Sequence, residues 1–257
     1  MLRLAAATIL ALISSSWLDV STLDPRNPVS GATTHADTIQ AGDSRIEASR
    51  LHRFAIERHL TITRGDSSQP FGTQSESLTS ATLDGRPVLL GVLTFATPRA
   101  TTVDSSWLDA ATLTPIRMRS TNAERIVDLE FTGDRVRTAT TPAQGEGETL
   151  DQHVGVHPFE WNTFGLALSA MPLKPGFKAV MPVYSDRFAR VVWYQVSVVQ
   201  ETALVRQSGY RSPMWEVLAT PDSVGPSARF WVSRNHRFVD QVRVWEPGIA
   251  IMYEREL

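Results

Sequence analysis

Val192-Trp193-Tyr194-Gln195-Val196-Ser197-Val198 places Val192, Tyr194, Val196 and Val198 on one side of an extended chain, while Gln195 and Ser197 look outward. Successive side chains of a strand point to opposite faces, so this spacing describes a β-strand with one face in a core and one largely in water. Ile249-Ala250-Ile251-Met252-Tyr253-Glu254 repeats the pattern, with Ile249, Ile251 and Tyr253 on one face and Ala250, Met252 and Glu254 on the other. Working outward, the ranges 88–95, 126–131, 190–199, 214–219, 228–233, 239–245 and 249–253 are all rich in Val, Ile, Phe, Tyr and Trp, which suit a pleated, half-buried surface.

Turn chemistry joins these strands to their neighbours. Leu83-Asp84-Gly85-Arg86 and Thr132-Gly133-Asp134 carry the Gly and Asp that tight hairpins with positive φ require, and Arg234-Asn235-His236-Arg237 and Pro247-Gly248 do the same near the C-terminus. Sequential strands then pair as a meander. Residues 160–171 break the pattern, because Phe164, Leu168 and Met171 recur at spacings of four and three, which predicts one short helix capped by Asn162 and stopped by Pro172. The expected fold is mainly β: a large curved antiparallel sheet, open and barrel-like, with one short helix packed on it. Residues 143–148 and 151–160 read as loops.

The N-terminus carries an address. Met1-Leu2-Arg3 is a short positive start, and residues 4–13 are apolar or small except for Thr8. Ten such residues are too few to span a bilayer, which takes about 20, but they suit a secretory signal. Ser14-Ser15-Ser16 supplies small residues for cleavage after Ser16, with Thr34-His35-Ala36 a second candidate. The chain therefore divides into a signal peptide over 1–16, a poorly ordered lead-in over 17–45 containing Pro25, Pro28 and Gly31, and a single β-rich domain over 46–257.

Composition narrows the function. The 257 residues are 42% hydrophobic and 20% charged, as in an ordinary folded chain, and the formal charge of −2 gives nucleic acid or anionic lipid nothing polybasic to hold. Lys174 and Lys178 are the only lysines, so nearly every positive charge is an arginine spread along the chain. Guanidinium forks suit anion recognition, although codon bias produces the same count. The absence of cysteine removes disulfides, thiolate metal sites, a cysteine nucleophile and a lipidated cysteine.

Several phrases together resemble a known family. Trp107-Leu108-Asp109-Ala110-Ala111-Thr112-Leu113-Thr114-Pro115, then Met171-Pro172-Leu173-Lys174-Pro175-Gly176, then Val198-Val199-Gln200-Glu201-Thr202, Trp215-Glu216-Val217 and Phe230-Trp231-Val232-Ser233 occur in an order similar to domain-of-unknown-function family 3108 of exported bacterial proteins. The resemblance runs from about Trp107 to the C-terminus. It implies a periplasmic or outer-surface β protein and brings no activity or catalytic residue with it.

Motifs for chemistry are sparse. Asp151-Gln152-His153-Val154-Gly155-Val156-His157-Pro158-Phe159-Glu160 holds two imidazoles and two carboxylates, the ligand types zinc takes. Gly155 and Pro158 oppose the helix that would aim His153 and His157 at one ion, so these are weak metal candidates and no cofactor is expected. Gly145-Glu146-Gly147-Glu148 lacks the third glycine of a dinucleotide loop, and no Gly-x-Ser-x-Gly elbow is present. Glu201, Glu216 and Glu246 could form a carboxylate pair only if they shared a face, and surface charges explain them as well. What remains is aromatic: Trp193, Tyr194, Trp215 and Trp231 are the candidate ligand-binding residues, with Trp245 nearby, either as core or as the lining of a concave sheet. The expected function is non-enzymatic binding of an apolar small molecule or a partner protein by a periplasmic or secreted protein. The alternatives are a metal-assisted hydrolase using 151–160 and a structural scaffold.

Overall fold

The computed structural model describes residues 37–205, 209, 211–235 and 238–255. The expected signal peptide, residues 1–16, lies outside them. The first eight strands are β1 (Phe54–Arg64), β2 (Ser67–Leu83), β3 (Arg86–Ala96), β4 (Thr101–Asp109), β5 (Pro115–Thr121), β6 (Arg125–Thr132), β7 (Arg135–Pro142) and β8 (Glu148–His153). The remainder are β9 (Phe159–Glu160), β10 (Lys178–Ser185), β11 (Arg190–Val205), β12 (Arg211–Pro221), β13 (Ser227–Ser233), β14 (Val239–Glu246) and β15 (Ile249–Arg255), with helix α1 (Phe164–Ala170) between β9 and β10.

All fifteen strands form one sheet in the order β8-β7-β6-β5-β4-β3-β2-β1-β15-β14-β13-β12-β11-β10-β9. The chain thus starts in the middle, meanders out to one edge, crosses to the other, and meanders back until β15 pairs with β1. The short hairpins follow the turn residues: Asp84 and Gly85 both take positive φ, 49° and 77°, between Leu83 and Arg86, the conformation a two-residue turn of this hand requires. All pairs are antiparallel except β9 with β10, a parallel pair that the period-two pattern did not reveal.

Topology forces the sheet to roll. Laid flat, fifteen strands at about 4.8 Å spacing would separate the edges by about 67 Å, yet only residues 154–158 connect edge strand β8 to edge strand β9, a reach of about 20 Å. Among the described residues the edges do not meet through a hydrogen-bonded ladder. Instead they overlap. Adjacent Val183 and Tyr184 of β10 are each 1% exposed although they point to opposite faces. Val183 joins the interior cluster with α1, while Tyr184 packs with Met118, Val127, Leu129 and Val136, from the concave face of β5–β7. The Tyr184 hydroxyl donates to Gln152 Oε1 at 2.8 Å and lies 3.1 Å from Thr138 Oγ1. Tyr184→Phe is expected to lose about 1 kcal/mol in urea unfolding by leaving both partners to pair elsewhere; an unchanged midpoint would argue that this overlap is not held by the hydroxyl.

Helix α1 fills the concave interior. Phe164, Leu168 and Ala170 are fully buried, each large side chain contributing about 1.5–3 kcal/mol. Close approach depends on Gly165, where a Cβ would lie 2.9 Å from Val239 Cγ2. The start of the helix differs from expectation. Residues Trp161–Thr163 form a 3₁₀ turn, and the Glu160 carboxylate, rather than Asn162, caps it by accepting from the Asn162 N–H. Met171 is extended before Pro172, as expected.

Two other expectations change. The end of the predicted lead-in is structured: Thr38 bridges to Val180, and Ile39 and Ala41 are 1% and 4% exposed in the core. The predicted loop at 151–160 begins inside β8 and ends in β9. β8 is exposed along nearly its whole length, so it carries no apolar alternation to betray it.

Candidate functional site

The overlap buries a cluster of polar groups. In the β9–β10 pair Glu160 lies beside Tyr184, so both point away from α1 toward the layer formed by β4 and β5. Glu160 is 2% exposed and accepts from Asn162 N–H at 2.7 Å and from the Ser106 hydroxyl at 2.9 Å. Asp104, two residues before Ser106 on β4, is 4% exposed and accepts from Asn162 Nδ2 at 3.1 Å, while its Oδ1 has no hydrogen-bond partner. Burial pushes Glu160 up to about 8, opposed by the Asn162 and Ser106 hydrogen bonds. Burial likewise raises Asp104 to about 6, opposed by Ser120 and Asn162. The charge of Asp186 raises Asp104 and that of Arg125 lowers it, and burial lowers Arg125 in turn. Glu160 is therefore largely a neutral acid at pH 7, with one oxygen still accepting from the Ser106 hydroxyl. Both carboxyls are buried and share Asn162 as a hydrogen-bond donor.

Asn162 also borders the interior cavity. This void of about 80 Å³ lies between α1 and strands β1–β3 and β13–β15. Its apolar wall includes Trp161, Phe95, Phe230 and Tyr253, with Leu93, Val242 and Val244 between the rings. Phe95 and Tyr253 meet edge to face with centroids 6.3 Å apart, a favoured aromatic arrangement. One end is polar. Arg58, 1% exposed, donates to Gln74 Oε1 at 2.8 Å, to Glu76 Oε2 at 2.5 Å, to Asp240 O at 3.2 Å and to Val239 O. Every one of these acceptors is drawn to a single guanidinium, which ties β1 to β2 and β14 across the mouth of the helix pocket.

The model of the family described as "Protein of unknown function (DUF3108)" matches residues 59–247. The chain belongs to the DUF3108 family. The match starts within β1 and so takes in the strands before Trp107, where the sequence phrases matched less clearly. None of the curated proteins matches the chain. A crystal structure of a β-barrel-like protein of domain of unknown function DUF1849 from Brucella abortus is similar, with a TM-score of 0.52 at 14% identity, covering 80% of this chain and 96% of that one. At this identity the likeness concerns the fold.

The residues singled out by sequence do not converge in this DUF3108 chain. Tyr194 and Trp215 join the interior cluster, whereas Trp193 and Trp231 are half-buried on the convex face. The reason is the pleat: Trp193 and Tyr194 are consecutive, and Trp231 pairs with Glu216, the neighbour of Trp215. The rings that do surround the cavity, Trp161, Phe95, Phe230 and Tyr253, come from four different elements. His153 and His157 are exposed; His153 Nδ1 lies 3.2 Å from Asp134 Oδ2, and the His157 N–H donates to Gln40. Among the described residues no group of three His, Cys, Asp or Glu is placed to hold a metal. Glu201, Glu216 and Glu246 each face an arginine, Arg234 at 2.6 Å, Arg229 at 2.9 Å and Arg187 at 2.8 Å, so none is a free carboxylate.

Sequence reasoning missed Arg58 and Asp104, and read Glu160 only as one carboxylate of the weak metal candidate at 151–160. For Arg58 a signal exists: in Ile56-Glu57-Arg58-His59-Leu60-Thr61-Ile62 an arginine occupies the apolar register of the strand. Asp104 stands in a run of Thr and Ser that resembles a wet face, and nothing local distinguishes it.

Proposed function

We propose that this protein is an exported, non-enzymatic component of the cell envelope that binds the apolar end of a small molecule in the cavity beside α1. The observation that carries the reading is the ring of Trp161, Phe95, Phe230 and Tyr253 around a void on the concave face. Ligand sites are commonly apolar, concave and edged by a few polar groups, and here Asn162, Gln74 and Arg58 supply that edge. Size limits the guest. A cavity of about 150 Å³ holds benzene, and about 80 Å³ is room for an alkyl chain end unless α1 shifts outward. Export rests on the apolar run at 4–13 after Arg3, and with it a periplasmic or secreted address.

Mass spectrometry of organic extracts from the purified protein tests this reading, together with titration by a long-chain fluorescent alcohol. Leu93→Phe fills the void from β3 and is expected to weaken alcohol binding at least tenfold with little change in unfolding midpoint. Extracts empty of any lipid-like molecule, with no saturable alcohol binding by the parent protein, would remove the proposal.

A partner protein is a second reading, favoured by the β11–β12 hairpin. Among the described residues its outer part, Leu204 and Val205 with Arg211 and Ser212, pairs only within the hairpin, and Val199 and Val205 are 48% and 56% exposed. Unpaired strand edges of this kind template added strands. Cross-linking in cells from residue 205 separates the two readings.

A further inference from the structure

The opposite, convex face carries a separate groove of about 420 Å³, bordered by Thr63, Arg229, Arg243, Trp245, Glu246 and Ala250. Its floor follows from register. Trp245 lies opposite Ser227 on one side and Ala250 on the other, and Ala250 lies opposite Thr63. Three small side chains flanking one indole leave a trough beside it. One row along, Arg229 and Arg243 sit directly opposite each other on β13 and β14. Like charges in that relation destabilise a sheet, so the juxtaposition itself is unfavourable to the fold.

The surrounding charges do not cancel. Glu216 accepts from Arg229 at 2.9 Å, and Glu246 is taken by Arg187 at 2.8 Å. Neither compensates Arg243, which is exposed. Among the described residues the buried Nε of Arg229 has no hydrogen-bond partner, a donor left unmet at the edge of the trough. We infer that this groove binds a small organic monoanion, its carboxylate between Arg229 and Arg243 and its flat or apolar body against Trp245. Arg243, which makes no ion pair among the described residues, offers its charge to one negative group, guanidinium forks suit a carboxylate, and the groove has the volume of an ordinary small-molecule site.

The test uses 2-naphthoate and its neutral counterpart 2-naphthol, with binding followed by calorimetry and tryptophan fluorescence. Saturable binding of naphthoate is expected, with naphthol and acetate each far weaker, because both the charge and the ring are needed. Arg243→Gln, an exposed change that leaves the sheet intact by circular dichroism, is expected to weaken naphthoate about tenfold or more, and Trp245→Ala similarly. Leu93→Phe, on the concave face, leaves naphthoate binding intact even where it abolishes alcohol binding, so the two sites fail independently. Absence of naphthoate binding, equal binding of naphthol, or binding unaltered by Arg243→Gln would each overturn the inference.

Discussion

Arg58→Ala is expected to destabilise the protein by about 3–5 kcal/mol, the usual cost of removing one partner from a buried charged network. The substitution strands the Glu76 carboxylate, 14% exposed, beside the Gln74 amide and the Val239 and Asp240 carbonyls, all of which lose the donor that Arg58 supplies. Lost solvation of those acceptors outweighs the methylene contacts that go with the side chain. Urea unfolding followed by circular dichroism measures it. A loss below about 1 kcal/mol would mean that water replaces the guanidinium, and that the cavity mouth is wetter than its geometry implies. Arg58→Lys should fall in between, since one ammonium cannot reach four acceptors spread around a planar fork.

The second large effect depends on pH. Glu160 and Asp104 are raised to about 8 and about 6 in the fold, whereas in the unfolded chain both titrate near their ordinary values of about 4. The native state therefore holds protons that the unfolded state has released. Their contribution is fully present below about pH 4, and it is lost as pH rises through about 6 for Asp104 and about 8 for Glu160. Stability from these two groups should fall by a few kcal/mol across that window. Glu160→Gln keeps an acceptor for the Asn162 N–H, lets its amide donate to a Ser106 hydroxyl that turns to accept, and cannot ionise. It should flatten the upper part of the profile and make the variant more stable than the parent at pH 8. Urea midpoints between pH 5 and pH 8.5 decide the matter; a parent profile that rises through this range, or a variant that tracks the parent, would refute the assignment.

The sequence made the sheet legible wherever one face is dry and the other wet. Val192, Tyr194, Val196 and Val198 are all buried in the order their spacing predicts, and the hairpin at Asp84 and Gly85 turns where its residues require. β2 and β8 were opaque for the same reason in reverse: largely exposed, they leave no periodicity to read. The candidate sites were harder. Period two assigns a residue to a face but does not say which strands roll over one another, and the Glu160–Asp104 cluster exists only because distant β4 and β9 are brought together. Likewise Trp193 and Trp231 were grouped with Tyr194 and Trp215 by chemistry, although the pleat turns them to opposite sides.

A barrel closed by hydrogen bonds must satisfy a fixed relation among strand number, stagger and tilt. Here the circumference ends at Tyr184, Gln152 and Thr138, whose contacts impose no such integer rule. A hairpin added at the β8 margin would change the extent of the wrap without shifting any residue pairing elsewhere. Such a scaffold can lengthen there by two strands and still keep α1, anchored between β9 and β10, and the chamber around it in place.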